Sequence, residues 1–183
     1  MEILPTPLAG VFVIETPTFV DYRGTFTRYY CERDLAEVIG TRRIVQINHS
    51  HTRVVGGVRG LHFQRSPHAE MKLIRCIKGS VWDVAVDLRA DSPTFLHWHA
   101  ETLSPDNARM LVIPEGCAHG FQALEAASEI MYFVTSCYAP ESERAVRYDD
   151  ERVAIAWPLA VTGLSARDRD TPSLAPDFLG VCL

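Results

Sequence analysis

The stretch RGLHFQRSPHAEMKLIRCIKGS, residues 59–80, decides how this chain is read. Two runs, GVRGLHFQ and MKLIRCIKG, are rich in apolar and β-branched residues and are separated by Ser66 and Pro67. They read as successive strands. Lys78-Gly79-Ser80 reads as a tight hairpin turn, with glycine supplying positive φ. The strands carry His62 and Lys72, with His68 and Glu70 between them. Such a set either grips a metal or performs metal-free acid–base chemistry.

The pattern continues outward on both sides. VFVIE, RIVQINHS, SVWDVAVDL, FLHWHAETL, ARMLVIP, HGFQALE and EIMYFVTSCY all read as short strands bounded by Gly, Pro, Asp and Ser. Many short strands with regular turns predict an all-β antiparallel sandwich or barrel, a class that binds ligands in its mouth. A helix is expected at Glu32 to Ile39, closed by Gly40, and a helical turn near Leu164 to Asp168. With 183 residues and no repeat or linker, residues 1–183 are expected to form one domain.

The net charge of −5 argues against nucleic acid or an anionic membrane as partner. No apolar run is long enough to span a bilayer. The opening MEILPTPLAG lacks the basic start of a signal peptide and is broken by prolines. Five cysteines without a CxxC favour reduced thiols and a cytoplasmic location.

The quoted stretch resembles the first motif of the cupin superfamily, G-x5-H-x-H-x3-E-x6-G, whose members are jelly-roll barrels. Gly60 and Gly79 fit that frame. Ser66 replaces its first histidine, His68 matches its second, and Lys72 replaces its glutamate. Pro114-Glu115-Gly116-Cys117-Ala118-His119 fits the P-x-G-x-x-H of the second motif. Two imidazoles and a repelling lysine fall short of the three or four ligands a stable metal site needs, so no catalytic metal is expected. An ammonium at Lys72 would instead stabilise negative charge developing on an oxygen. His62 is a candidate base, and Tyr132 in EIMYFV a candidate acid. His97-Trp98-His99 puts two imidazoles on one face of a strand without a following cupin glutamate, and reads as an exposed or interface strand.

Several longer blocks resemble the dTDP-4-dehydrorhamnose 3,5-epimerases: NHSHTRVVGGVRGLHFQRSPHAEMKLIRCIKGSVWDVAVDLRADSPTF, IPEGCAHGF, YAPESERAVRYDD, Trp157-Pro158, DYRGTF and LSARD. The resemblance runs from residue 5 to about residue 172. It implies a cupin-type antiparallel jelly-roll barrel with short peripheral helices. It further implies a cofactor-free, homodimeric epimerase acting on a nucleotide-linked 4-keto-6-deoxy sugar. By that resemblance His62 is the base, oriented by Asp168 (with Asp170 as the alternative). Lys72 faces the enolate oxygen, Tyr132 returns the proton, and His119 shares the pocket. Arg23 and Arg59 grip the pyrophosphate, and Gln46 and Asn48 line the pocket. Phe121 and Tyr138 form walls, and Arg23 and Phe26 reach across the dimer interface. Arg75 is a further arginine that suits either phosphate or the surface.

The chain departs from the family pattern at Arg28, where an acidic residue is usual, and at Glu70-Met71, where Gln-Gly or Gln-Ala is usual. Arg28 opens CDP or GDP sugars as alternatives, and the resemblance extends to sister enzymes that invert a single carbon. A metal-dependent cupin using His68, His119 and His97 or His99, and a catalytically silent binding module, are the readings from other classes.

Overall fold

The computed structural model describes residues 1–183. In chain order its elements are β1 (Glu2–Pro5), β2 (Phe12–Glu15), β3 (Thr18–Asp21), β4 (Gly24–Thr27), α1 (Ala36–Ile39), β5 (Gln46–Thr52), β6 (Val58–Gln64) and β7 (Lys72–Lys78). There follow β8 (Val81–Asp87), β9 (Trp98–Leu103), β10 (Arg109–Ile113), β11 (Cys117–Ala123), β12 (Ser128–Val134), β13 (Glu143–Ala145) and α2 (Ala166–Asp170). Every pairing between these strands is antiparallel. One sheet has the order β1-β2-β10-β7-β12-β5 and faces a second of order β13-β6-β11-β8-β9. The β3–β4 hairpin stands apart.

Period-two alternation sorts the side chains into three layers. Val13, Ile74, Leu111 and Ile130 of the first sheet meet Val81, Ala85, Cys117 and Phe121 of the second in a shared core. The outer face of the first sheet packs Leu73, Met110 and Phe133 beneath Leu35 and Ile39 of the α1 segment. The outer face of the second packs Leu61, Val84 and Ala118 beneath Val153 and Val181, with Trp157 and Phe178 of the C-terminal tail against them. Both sheets are thus covered by the chain's own flanking segments. This is the antiparallel sandwich the strand pattern predicts, in the jelly-roll form the resemblance implies.

Several local expectations are corrected. The helix begins at Ala36, not Glu32, and residues 32–35 form turns. Leu35 occupies the N-cap and offers no side-chain cap, so one turn forms, closed by Gly40 at φ 62°. The later helical turn lies at Ala166–Asp170, displaced by two residues. Arg75 is neither a surface charge nor open to phosphate. It is 1 % exposed, donates to Thr16 Oγ1 at 3.1 Å, and lies over the Tyr29 ring at 4.4 Å.

Candidate active site

The shared core fills only part of the barrel. At the other end the inward positions turn polar: His62 on β6, Lys72 on β7, Asp83 on β8, His119 on β11 and Tyr132 on β12. Four of these five, all but Asp83, line an open cavity of about 920 Å³. A side cavity of about 260 Å³ shares His62, Lys72 and Tyr132 with it.

Two glycines let the histidine strands close up. Gly60 has φ +120°, and a Cβ there would lie 2.6 Å from the Gly120 Cα. A Cβ on Gly120 would lie 2.8 Å from the Arg59 carbonyl oxygen. Larger residues would force β6 and β11 apart at the irregularity that follows His119. With glycine at both places, His62 and His119 stand directly opposite each other in the register.

Each histidine has its own carboxylate. His62 Nε2 lies 2.7 Å from Asp168 Oδ1. Asp168 sits in the first turn of α2, where its backbone N–H donates to the Ser165 cap at 3.0 Å. Burial pushes the Asp168 carboxyl up, but the His62 hydrogen bond and charge, Ser165 and the Gly60 backbone together hold it below the usual range. The contact falls on Asp168 rather than Asp170, which pairs with Arg169. His119 Nε2 lies 2.8 Å from Asp83 Oδ1. Asp83 is fully buried, its Oδ2 has no partner, and burial pushes its carboxyl up.

Lys72 is interior, with a side chain 9 % exposed. Its Nζ donates to the His62 carbonyl at 3.3 Å and lies 3.2 Å from Glu70 Oε1. Tyr132 belongs to the six-stranded sheet and His62 to the five-stranded one, so the phenol and the imidazole enter the cavity from facing walls. Burial first, then Glu70, raises the Tyr132 pKa, so the group is a proton carrier at neutral pH.

The remaining candidates divide. Phe121 lines the large cavity, with its ring stacked 6.3 Å from that of His119. Arg59 also lines it, held by Thr52 Oγ1 and the His51 carbonyl at 3.0 Å each. Gln46 and Asn48, hydrogen-bonded at 2.9 Å, line the side cavity with Tyr138. Tyr138 donates to Glu143 at 2.7 Å. Arg23 and Phe26 are not brought to the site of their own chain. They lie on the exposed β3–β4 hairpin, where Arg23 pairs with Asp21 at 2.6 Å.

His68 is a correction to the cupin frame. Its side chain is 41 % exposed, lies 3.7 Å from Glu141, and lines neither cavity. The imidazole that stands beside His119 is His62. The HxH strand also resolves: His99 pairs with Glu101 at 3.1 Å on β9, the edge of its sheet. No group of three or more His, Cys, Asp and Glu side chains gathers in a metal-binding arrangement.

Sequence reading missed Asp83, Glu143 and Arg167. Asp83 did leave a signal, as a lone carboxylate on the inward register of the apolar strand VWDVAV. Glu143 and Arg167 left none, since each sits in a charged run.

The walls of the large cavity carry Arg53, Arg59, Lys72 and Arg167 against the single carboxylate of Asp168. A chain of net charge −5 has therefore gathered cations around its main opening, which suits an anionic ligand. The paired His62 imidazole stands on one wall of this space, and the Lys72 ammonium and Tyr132 phenol stand on the facing one.

Known proteins share this construction. The family model described as dTDP-4-dehydrorhamnose 3,5-epimerase matches residues 5–176. The dTDP-4-dehydrorhamnose 3,5-epimerase of Salmonella typhimurium is 43% identical over 176 residues, 95% of this chain and 96% of that protein. The crystal structure of the Bacillus anthracis dTDP-4-dehydrorhamnose 3,5-epimerase with TDP and PPi bound superposes with a TM-score of 0.90 at 40% identity. That match covers 94% of this chain and 99% of the other. The Legionella pneumophila dTDP-6-deoxy-D-glucose-3,5-epimerase, in complex with dTDP-4-keto-L-rhamnose, gives 0.86 at 40% identity, covering 91% and 89%. Identity at this level over nearly the full length, on the same barrel, makes this chain a member of the dTDP-4-dehydrorhamnose 3,5-epimerase family.

Proposed function

We propose that this protein inverts carbon 3 and carbon 5 of dTDP-4-dehydro-6-deoxyglucose, giving dTDP-4-dehydrorhamnose, by proton abstraction and return. The observation that carries this reading is the His62–Asp168 pair at 2.7 Å facing Tyr132 from the opposite sheet.

Only the carbons beside the 4-keto group have protons acidic enough to remove. His62 takes such a proton. With Asp168 ionised and Nε2 facing it, the ring hydrogen resides on Nε2 and Nδ1 is the basic nitrogen. The electrons move onto the keto oxygen, where the Lys72 ammonium stabilises the enolate. Inversion needs delivery to the other face of the ring, which Tyr132 supplies from across the cavity. Each acid or base contributes about 10²–10⁴-fold. His119, held by Asp83, borders the same space. Arg59 supplies charge for the pyrophosphate, and Gln46, Asn48, Phe121 and Tyr138 shape the remainder.

The protein works as a homodimer in this reading, with Arg23 and Phe26 completing the partner's site. Supporting this, the β3–β4 hairpin leaves Phe19, Val20, Tyr22 and Phe26 between 63% and 97% exposed. Apolar residues displayed together on a projecting arm mark an interaction surface. No helix is long and apolar enough to cross a membrane, and the reaction is placed in the cytoplasm with its nucleotide-linked substrate.

The test is proton exchange in heavy water. Incubation with dTDP-4-keto-6-deoxyglucose, followed by NMR, should show deuterium entering at carbons 3 and 5 with inversion. Entry at one carbon alone would make the enzyme a single-position epimerase. The same test with CDP and GDP sugars decides the nucleotide. Silence with all three would refute the reading.

A further inference from the structure

Among the carboxylates beside the cavity, Glu70 is largely shielded from solvent and has no role in the proton transfers proposed. Glu70 stands two residues before Lys72 and is only 11 % exposed. It lies where the family pattern carries a neutral glutamine. An ionised carboxylate in such a place is costly unless something compensates it, and its compensation is the Lys72 ammonium 3.2 Å away. Lys72 is also tied to the carbonyl of His62 at 3.3 Å. An ammonium has three donors and no acceptor capacity. With one donor on the carbonyl and Glu70 on another side, the direction left open is the cavity.

We propose, on the epimerase reading, that Glu70 is a positioning residue. It fixes the Lys72 ammonium beside His62 with an N–H free for the oxygen that gains charge, and it sets negative charge against Tyr132. The lysine stem is long and flexible, so an unpaired ammonium would sample several positions. Stabilisation of a developing charge depends on donors already in place.

The side cavity supports the second half of the proposal. Glu70, Lys72 and Tyr132 all line it. Burial raises the phenol pKa most, Glu70 and Glu143 add to it, and Arg59 opposes them. Across the larger cavity Tyr132 also faces His62 and His119, with Asp168 and Arg167 behind them on the α2 side.

The test is Glu70→Gln, which keeps the shape and removes the charge. Turnover is followed by NMR, and Tyr132 is titrated through tyrosine labelled with ¹³C at Cζ, assigned using Tyr132→Phe. A glutamine can still accept from the ammonium through its amide oxygen, so we expect kcat to fall about three- to tenfold with KM within about twofold. Tyr132 should lose its proton at lower pH than in the native protein, and the basic limb of the kcat profile should move the same way. Glu70→Asp, which restores the charge, should bring the titration back toward native. With Lys72→Met already present, adding Glu70→Gln should change kcat by less than about twofold, because the partner is gone. An unchanged Tyr132 titration, a rise in KM with kcat intact, or full additivity with Lys72→Met would each overturn the proposal. The titration needs no substrate. It therefore reads Glu70 even if no sugar nucleotide is turned over, an outcome that would sink the epimerase reading separately.

Discussion

Asp168→Asn preserves the outline of a side chain only 5 % exposed and removes its charge. Two losses follow. First, the imidazolium that forms when His62 takes a proton loses a charge-assisted hydrogen bond, now 2.7 Å long and worth about 1.5–3 kcal/mol. At about 1.4 kcal/mol per decade, that alone is roughly ten- to a hundredfold in rate. Second, an amide can donate to Nε2. The ring hydrogen then moves to Nδ1, the nitrogen that must accept the substrate proton. The same exchange in a serine-protease triad costs about 10⁴, so the combined loss here should be about 10²–10⁴. The assay is the rate of deuterium entry into the sugar, measured alongside thermal unfolding and dTDP affinity. The rate should fall by that factor while affinity stays within about twofold. A folded variant exchanging within about threefold of native would refute the assignment of Asp168 as the orienting group. Stability gives an independent check. The Asp168 carboxyl is held below its ordinary value in the folded state. Its stabilising contribution is therefore full above about pH 4 and is lost as pH falls through the lowered value. The stability gap between native protein and variant should close in that acid range.

Tyr132→Phe should slow inversion by about 10²–10⁴-fold while deuterium still washes in with retention, since His62 can return a proton to the face it came from. Equal loss of wash-in and inversion would make Tyr132 a general structural or binding element. Gly120→Ala would bring a Cβ to 2.7 Å from Leu61 Cδ2 and should cost about 1–3 kcal/mol in urea unfolding. A neutral result would mean that β6 and β11 have slack. Burial raises Cys76 to about 11 and Cys117 to about 12. A thiol reagent should therefore modify exposed Cys137 and Cys182 in the folded protein, and Cys76 and Cys117 only on denaturation. Fast labelling of either buried thiol in native buffer would contradict their sealed placement.

The barrel was legible because its strands alternate and its turns are marked by glycine and proline. β7 and β8 are clear cases, joined by Lys78-Gly79-Ser80. What sequence reading missed is what the chain forms only in context. β1 is a four-residue strand ending in Pro5, held by its pairing with β2. β13 is Glu143–Ala145, with no apolar alternation, and exists because β6 offers it an edge. The β3–β4 hairpin is exposed along most of its length, so burial could not advertise it. At the site, His62, Lys72, Tyr132 and Asp168 all reach one cavity. The glycine frame alone would have chosen His68, because spacing fixes a position along the chain but not which turn residues leave the sheet. The Glu70–Lys72 contact was visible only as an unexplained change of charge type.

The barrel is packed solid at one end and hollow at the other, and single strands serve both regions. Ile74 and Lys72 are two residues apart on β7, yet one belongs to the sealed core and the other to the cavity wall. Cys117 and His119 are likewise two residues apart on β11, the first in the sealed core and the second on the cavity wall. This is a division of labour along the strand rather than between strands. The packed end can carry the burden of holding the sheets together, which leaves the residues at the mouth open to revision. A lineage, or a protein engineer, could redraw the chemistry at the mouth one inward-facing position at a time while the fold stays anchored a few ångströms below.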